Sequence, residues 1–154
     1  MNILRFKYID PTLTADDKAL LAPAQKTAWA SGFDLACAQK DNITLYPGQR
    51  LLVSTGIAIS LDPGFEGQVR SRSGLALKNG VVVLNAPGTI DADYRGEIKV
   101  ILGNLSEEPF QICFAMRIAQ LVLASVITPR MTEVDALDES ERGERGFGST
   151  GLVA

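Results

Sequence analysis

Short apolar segments separated by turn sequences dominate this chain and restrict the folds open to it. Leu51 and Val53, followed by Ile57, Ile59 and Leu61, alternate with small or polar residues, as the residues of half-buried strands do. Further segments rich in β-branched and apolar residues lie at 81–84, 98–102, 111–114 and 119–127. Turn signals separate them: Tyr46-Pro47-Gly48, Asp62-Pro63-Gly64, Asn79-Gly80 and Pro87-Gly88. Many short strands at this spacing predict an all-β sandwich, barrel or jelly roll rather than a parallel α/β sheet.

Helical periodicity is scarce in the same sequence. Residues 15–21 (ADDKALL) are the one fair helix candidate, with Thr14 as the N-cap and acids in the first turn. The segment GLALK at 74–78 is a candidate for a one-turn helix. From about Thr132 the apolar density falls, and the glycines of the closing RGERGFGSTGLVA predict a flexible tail unless something orders it. We therefore expect a single domain with a β-barrel body at 1–131 and a flexible C-terminal arm at 132–154.

Composition and charge exclude several classes of protein. A chain of 154 residues, 46% hydrophobic and 21% charged, matches one ordinary globular domain. Its net charge of −3 lacks the basic footprint that binding along a nucleic acid requires. Arg5 and Lys7 interrupt the apolar stretch that a signal peptide needs, and no apolar run approaches a membrane span. Cys37 and Cys113 show no metal-binding spacing, so we expect both to be reduced in a cytoplasmic protein without a membrane partner.

The chain contains no histidine, and this absence limits its chemistry. A His-ligated zinc site and any Ser-His or Cys-His catalytic pair are excluded. General base catalysis must therefore fall to a carboxylate, a lysine or a tyrosine.

Five segments combine polar and small residues in a way that packing does not explain. ASGFDL at 30–35 places one acid, Asp34, inside a small apolar stretch. RSRSG at 70–74 puts two cations and two hydroxyls in one loop at the start of the possible helical turn, whose free N–H groups favour phosphate. NAPGTIDADYRG at 85–96 has the pattern of a hairpin carrying an amide, two acids and an aromatic ring. RIAQ at 117–120 sets a cation and an amide at the start of a strand, and RGERGFGSTG at 142–151 adds a cation, an aromatic ring, hydroxyls and glycines.

Two local alternatives for these segments fail. The acids at 91 and 93 begin like an EF-hand loop, but Leu102 stands where the bidentate Glu is needed. The glycines at 143–148 have the spacing of a phosphate-binding P-loop, but Ser149 replaces its lysine.

In this order, the five segments resemble the five sequence motifs of the homotrimeric dUTPase family, over residues 31–151. The resemblance implies a β-barrel or distorted jelly roll with one short helix and a flexible C-terminal arm. It also implies Mg²⁺-dependent hydrolysis of dUTP to dUMP and pyrophosphate by attack of water on the α-phosphorus, which keeps uracil out of DNA and supplies dUMP for dTMP synthesis. The assembly implied is a homotrimer whose sites each draw motifs from three subunits.

The third motif carries the implied catalytic residue and the implied nucleoside contacts. Asp91 corresponds to the general base that orients water, although such an Asp could merely cap a turn. Tyr94 corresponds to the ring that packs under the deoxyribose and leaves no room for a 2′-hydroxyl. Asn85 and the backbone around Gly88 correspond to the segment that recognises uracil by hydrogen bonds. Cytosine would leave these polar groups unpaired and would therefore bind less well.

The other motifs carry the implied metal and phosphate contacts. Asp34 corresponds to the acid that holds Mg²⁺ through metal-bound water, since Mg²⁺ keeps waters and binds substrate phosphates. Arg117 is open between a functional role and bracing of the strand. The remaining implied substrate-binding residues are Arg72, Ser73, Gly74, Gln120, Arg142, Phe147, Gly148 and Ser149. Within this set Phe147 corresponds to the ring that stacks over uracil, in a tail that would close as a lid.

Three positions depart from the family pattern. Ser71 replaces the usual Pro of the second motif, which predicts a less rigid loop. Phe114, Ala115 and Met116 lie where Pro-Gly and an acid are usual, which predicts that the turn there is not the usual tight one. Arg145 occupies a position often held by Gly. None of these changes removes a reacting group. We therefore expect them to alter substrate affinity and the rate at which the C-terminal lid closes more than the activity itself.

Two alternative functions stay open. A dCTP deaminase, mono- or bifunctional, shares the fold implied by the resemblance, but the Arg72-Ser73-Gly74 loop, Tyr94 and the glycine-rich fifth motif favour a dUTPase. A catalytically inactive dUTPase-like binding protein predicts loss of Asp91, Ser73 or Phe147, and all three are present.

Overall fold

The computed structural model describes residues 4–145, which contain eleven strands and two short helices. The strands are β1 (Arg5–Tyr8), β2 (Gly32–Ala36), β3 (Ile43–Leu45), β4 (Arg50–Ser54), β5 (Ile57–Ser60), β6 (Phe65–Arg70), β7 (Val81–Val83), β8 (Gly88–Ile90), β9 (Lys99–Asn104), β10 (Phe110–Ile112) and β11 (Arg117–Ser125). The helices are α1 (Ala15–Leu21) and α2 (Ser73–Asn79). The predicted all-β class is confirmed, and both helix candidates form, so the described chain has two short helices rather than one.

The strands form four small antiparallel sheets. Their strand orders are β1-β5, β10-β3, β2-β11-β6-β8 and β4-β9-β7. Within residues 4–145 the strands do not close into one barrel, and the arrangement of several packed sheets is that of a jelly-roll-like fold.

One apolar core joins the four sheets. Each sheet contributes at least one side chain with almost no exposed surface, namely Ile57, Leu45, Leu121 and Leu102. Burial of such a side chain contributes about 1.5–3 kcal/mol. The buried amide of Asn104 donates to the carbonyl oxygen of Leu45 at 2.9 Å, so this polar group stays paired within the core. The common core fixes the position of each sheet against the others.

The four-stranded sheet has a second, outward-facing surface that bears several candidate site residues. Gln120 on β11 lies opposite Asp34 on β2 and opposite Arg70 on β6. The neighbouring Leu35 and Leu121 are buried in the core. Because successive side chains on a strand point to opposite faces, Asp34, Gln120 and Arg70 lie in one row on the outer face.

The two helices have clear end signals. The Thr14 hydroxyl accepts from the N–H of Asp17 and the Asp17 carboxylate accepts from the N–H of Thr14, both at 3.1 Å, which forms a capping box at the start of α1. Helix α2 ends at Gly80, whose φ of 63° is the left-handed conformation that glycine adopts readily. In the part of the chain that the structure describes, neither helix is long and apolar enough to cross a membrane.

The turn before β11 corrects one expectation. The N–H of Met116 donates to the carbonyl oxygen of Cys113 at 3.1 Å, so the turn at 113–116 is tight. Its third residue, Ala115, has a φ of 61° and is the one non-glycine residue with a positive φ among the residues described. Cys37 holds this strained turn in place, since its N–H donates to Met116 and its carbonyl oxygen accepts from Ala115, both at 2.8 Å. The expectation of a looser turn was wrong because pairing with the end of β2 imposes the conformation.

Replacement of Ala115 by glycine should therefore stabilise the protein by about 1 kcal/mol, because a Cβ is unfavourable at positive φ. The measurement is the free energy of unfolding in urea. Ala28→Gly is the matched control, since Ala28 is exposed in a loop and its φ is not positive. Glycine at 28 should leave stability unchanged or lower it; an equal gain at both positions would contradict the assignment of strain to Ala115.

Candidate functional site

Asp34 lies between two arginines at the outer face of the four-stranded sheet. Its Oδ1 is 3.3 Å from Arg72 Nε, and its Oδ2 accepts from Arg117 Nη1 at 3.0 Å. Arg72 Nη1 also donates to the carbonyl oxygen of Arg117 at 2.8 Å. The Asp34 side chain is only 17% exposed, so the pair interactions are less screened than on an open surface. Two cations against one acid leave an excess positive charge, which suits an anionic ligand.

A β-bulge on β11 explains how Arg117 reaches Asp34. The register between β2 and β11 shifts between Arg117 and Ala119. Without the shift, Arg117 and Gln120, three residues apart, would point to opposite faces of the sheet. The extra residue returns Arg117 to the face of Gln120 and Asp34. Arg117, whose role the sequence left open, therefore braces Asp34 in this structure.

Gln120 completes the same cluster. Its Nε2 donates to the carbonyl oxygen of Ser71 at 3.0 Å. A Cβ built on Gly32 would lie 2.8 Å from Gln120 Oε1, so a larger residue at 32 would displace the amide. The absence of a side chain at Gly32 thus leaves room for the Gln120 amide. The sequence signal for this role is the place of Gly32 two residues before Asp34, on the same face of the strand.

The residues Arg72, Ser73 and Gly74 connect this cluster to α2. Ser73 is the first residue of α2, and both Ser73 and Gly74 are exposed. No side chain caps the helix at Arg72, so the first N–H groups of α2 are not taken up by a capping side chain. The free N–H groups of an uncapped helix start and a neighbouring guanidinium can donate hydrogen bonds to phosphate oxygens.

Asp91 lies at a second place, directly after β8. It is exposed and lines a cleft of about 340 Å³. The other lining residues are Leu52, Thr89, Ile90, Tyr94, Glu97 and Lys99. The N–H of Tyr94 donates to the carbonyl oxygen of Asp91 at 3.1 Å, which closes a turn with both side chains at the cleft. This arrangement places an exposed carboxylate beside an aromatic wall.

The ring of Tyr94 is held at the cleft by its neighbours. Its hydroxyl donates to the carbonyl oxygen of Glu97 at 3.0 Å. A Cβ on Gly96 would lie 2.3 Å from that hydroxyl oxygen, so the ring can occupy this position only above a glycine. The Glu97 carboxylate in turn accepts from the hydroxyl of Ser54 and, at 2.9 Å, from the N–H of Gly56. Glu97 thus anchors the Tyr94 segment to the turn between β4 and β5, a role that no sequence pattern indicated.

The turn at Asn85 begins the predicted hairpin segment 85–96, which lies between β7 and β9, and these two strands pair antiparallel as a hairpin requires. Strand β7 before it pairs with β9, whereas β8 after it pairs with β6. The chain passes from one sheet to another through a turn closed by the N–H of Ala86 and the carbonyl oxygen of Val83, 3.2 Å apart. The Asn85 side chain lies over the buried Gly88, since a Cβ on Gly88 would be 3.2 Å from Asn85 Nδ2. The two residues implied in uracil recognition are therefore in contact, as part of a connection between sheets.

The C-terminal candidates are only partly within the described residues. Arg142 is exposed, and its Nε donates to the carbonyl oxygen of Arg145 at 2.9 Å. Arg145 Nε returns a hydrogen bond to the carbonyl oxygen of Arg142 at 3.1 Å, so the two residues close a small turn. Phe147, Gly148 and Ser149 lie outside the described residues.

The chain brings its candidates together in two regions, not one. Strands β2 and β8 are the opposite edges of the four-stranded sheet. From Asp34 the register leads across β11 and β6 to β8, which is three strand spacings, and three residues along β6 separate the position opposite Asp34 from the position opposite Ile90. With about 4.8 Å between strands and about 3.4 Å per residue, Asp34 and Ile90 are roughly 18 Å apart. Asp91 follows Ile90, so the Asp34 cluster and the Asp91 cleft are separate regions of one subunit.

The molecule is thus an all-β domain with an exposed carboxylate and an aromatic ring at one cleft and two guanidinium groups around Asp34 in a second region. Comparison with known proteins identifies the family. A sequence model of the dUTPase family matches residues 19–151. The deoxyuridine 5'-triphosphate nucleotidohydrolase of Rhizobium johnstonii is 50% identical over 94% of this chain and 96% of its own, and that of Orientia tsutsugamushi is 55% identical over 84% and 88%. The chain belongs to the dUTPase family.

Solved structures show the same fold. A Staphylococcus bacteriophage 80alpha dUTPase with dUpNHpp has a TM-score of 0.81 at 26% identity, covering 99% of this chain and 100% of its own. A mutant dUTPase from phage phi11 of S. aureus, described with a structural Mg(II) ion, has a TM-score of 0.76 at 21% identity and covers 90% and 100%. The second likeness supports the fold alone.

Proposed function

We propose that this chain hydrolyses dUTP to dUMP and pyrophosphate. The observation that carries the proposal is the exposed Asp91 carboxylate beside the Tyr94 ring, in a chain of the dUTPase family. Its relatives are named deoxyuridine 5'-triphosphate nucleotidohydrolases, and the 80alpha dUTPase was solved with the dUTP analogue dUpNHpp.

Asp91 would act as the general base. The water oxygen forms a bond to the α-phosphorus while the bond from that phosphorus to the bridging oxygen of the pyrophosphate breaks. The proton of the water passes to the Asp91 carboxylate. The chain has no histidine, so an exposed carboxylate in the nucleotide cleft is the natural proton acceptor.

Specificity for the nucleoside would come from the third motif. The Tyr94 ring, held by Glu97 and Gly96, forms a wall that a 2′-hydroxyl would meet. Asn85 over Gly88 would offer hydrogen bonds to the polar edge of uracil, and cytosine would leave those groups unpaired.

The phosphates would contact the positive cluster and the tail. Arg72, Ser73 and Gly74 offer a guanidinium, a hydroxyl and the uncapped start of α2, and Gln120 adds an amide. Arg142, Phe147, Gly148 and Ser149 would complete the site from an arm at 132–154 that closes over the nucleotide, whereas residues 1–131 would form the catalytic body.

We infer that Mg²⁺ is bound chiefly by the triphosphate. Within residues 4–145 no cluster of three or more His, Cys, Asp or Glu side chains could hold a metal ion. Asp34 is a single carboxylate whose oxygens each face a guanidinium, yet each oxygen has a further lone pair that can accept from metal-bound water. Asp34 would therefore contact Mg²⁺ only through water, while the substrate phosphates would supply the direct ligands and the negative charge that offsets the two arginines. Bound Mg²⁺ would offset the charge that develops on the pyrophosphate leaving group.

We also infer a homotrimer with sites at subunit interfaces. The water held by Asp91 and the Mg²⁺ held by Asp34 would both act on one triphosphate. In one subunit these two residues are further apart than a triphosphate is long, so one subunit would not supply both to the same site. A second copy can place its Asp91 cleft against the Asp34 cluster of the first, and the trimeric count follows from the family resemblance. The free thiols of Cys37 and Cys113 are consistent with a cytoplasmic location.

Pyrophosphate release from dUTP, dTTP, dCTP and UTP, with Mg²⁺ present and after its removal by EDTA, tests the proposal. We expect kcat/KM for dUTP to exceed that for dCTP by on the order of 10⁴, because a site built for uracil leaves polar groups unpaired with cytosine. Removal of Mg²⁺ should abolish turnover. Ammonia release from dCTP would instead identify a deaminase, and binding of dUTP without pyrophosphate release would identify an inactive binding protein.

A further inference from the structure

Ser71 joins two sheets directly before Arg72, Ser73 and Gly74, the proposed phosphate-binding residues, which we call the phosphate loop. Its hydroxyl oxygen accepts from the N–H of Val83 at 2.8 Å. Its carbonyl oxygen accepts from Gln120 Nε2 at 3.0 Å. Val83 belongs to β7 of the three-stranded sheet, and Gln120 to β11 of the four-stranded sheet. One residue therefore connects both sheets at the point where the loop begins.

The geometry of β7 explains why Val83 needs this partner. In an antiparallel pair, only alternate residues direct their N–H groups to the neighbouring strand. Leu84 donates to Ile101 of β9 at 2.8 Å, so the N–H of Val83 points away from β9. Loss of the Ser71 hydroxyl would leave a partly buried donor without its partner, which carries an energetic cost.

The other side-chain attachments of the phosphate loop lead to the four-stranded sheet. Arg72 bonds to Asp34 on β2 and to the carbonyl oxygen of Arg117 on β11. Among the side-chain hydrogen bonds that residues 71–74 make in the described part of the chain, the Ser71 bond alone reaches β7. The loop is therefore hydrogen-bonded to both sheets, and the Ser71 hydroxyl supplies the side-chain bond to the three-stranded sheet.

We propose that Ser71 is a positioning residue that holds the phosphate loop ready to bind the triphosphate. The inference rests on the proposed function, since it takes Arg72, Ser73 and Gly74 as phosphate-binding residues. Without the Val83 bond the loop must be ordered on binding, and that ordering lowers affinity for the part of the ligand that the loop contacts. Affinity for the uracil and deoxyribose parts does not depend on Ser71.

The test compares dUpNHpp with deoxyuridine, which lacks phosphates, by calorimetry on the full chain. Ser71→Ala should weaken dUpNHpp binding by about tenfold, the effect of one lost hydrogen bond, and leave deoxyuridine binding unchanged. The kcat/KM for dUTP should fall in the same proportion. Ser71→Thr keeps the hydroxyl and should restore most of the dUpNHpp affinity.

Thr44→Ala is the matched control. The Thr44 hydroxyl accepts from Gln111 Nε2 at 2.7 Å between β3 and β10, so this variant removes a hydroxyl hydrogen bond between two strands outside the proposed site. Both ligands should bind Thr44→Ala as they bind the unmodified chain. The inference is overturned if Ser71→Ala loses affinity equally for both ligands, or loses affinity for neither. It is also overturned if Ser71→Ala fails to fold at the assay temperature, or if Ser71→Thr loses as much dUpNHpp affinity as Ser71→Ala does. If the unmodified chain neither binds dUpNHpp nor hydrolyses dUTP, the proposed function itself fails.

Discussion

Asp91→Asn should lower kcat for dUTP by about 10³-fold or more and leave the affinity for dUpNHpp within a few-fold of the unmodified value. The amide has nearly the size of the carboxylate but cannot accept the proton of the attacking water. Asp91 is exposed after the end of β8, so its replacement removes no core contact. Turnover should therefore fall without a change in the fold.

Asp93→Asn is the matched control for this prediction. Asp93 is also exposed and lies two residues further along the same segment. The cleft is lined by Asp91 and not by Asp93, so kcat should stay within a few-fold of the unmodified value. Steady-state pyrophosphate release gives kcat, and calorimetry gives the affinity. If Asp91→Asn keeps most of its activity, or if both variants lose it equally, Asp91 is not the base.

Alternating apolar residues were sufficient to predict about half of the strands. The segments that became β4, β5, β7, β9, β10 and β11 all carry β-branched residues with a buried face. By contrast β8 is only GTI, too short for a periodic apolar pattern, and β1 (RFKY) alternates charged with aromatic residues of which none is buried. These segments become strands because β8 pairs with β6 and β1 with β5. Such non-local hydrogen bonding leaves no periodic signal in the sequence.

The residue types of the site could be read from the sequence, but their geometry could not. Asp34 and Arg117 are 83 positions apart in the sequence, and their side chains meet because a bulge in β11 turns Arg117 to the face of the sheet that carries Asp34. The predicted hairpin segment 85–96 lies between the antiparallel strands β7 and β9, but the pairing of β8, inside that segment, with β6 of another sheet left no signal in the sequence. Glu97 acts through its carbonyl oxygen and a carboxylate bonded to the β4–β5 turn, contacts that depend on the folded chain.

Removal of residues 142–154 should lower kcat/KM for dUTP by about 10²-fold or more, because open access of water and loss of phosphate contacts weaken transition-state stabilisation. The fold should survive. In the described chain the last strand ends at Ser125, and residues 127–145 are exposed. The free energy of unfolding should change by less than about 1 kcal/mol. A chain that ends at Gly151 keeps the fifth motif and is the matched control; full activity after removal of 142–154 would reject the role of the arm.

Mixing two inactive variants tests whether the arm and Asp91 of one site come from different subunits. Asp91→Asn chains keep the arm, and chains without 142–154 keep Asp91. If a site takes these parts from two subunits of a trimer, about a quarter of the sites in trimers assembled from an equal mixture contain both, since each position is filled independently. Pyrophosphate release after joint refolding should then recover to roughly a quarter of the unmodified rate. If one subunit supplies both parts, no site in the mixture is complete and the rate stays at the level of the separate variants.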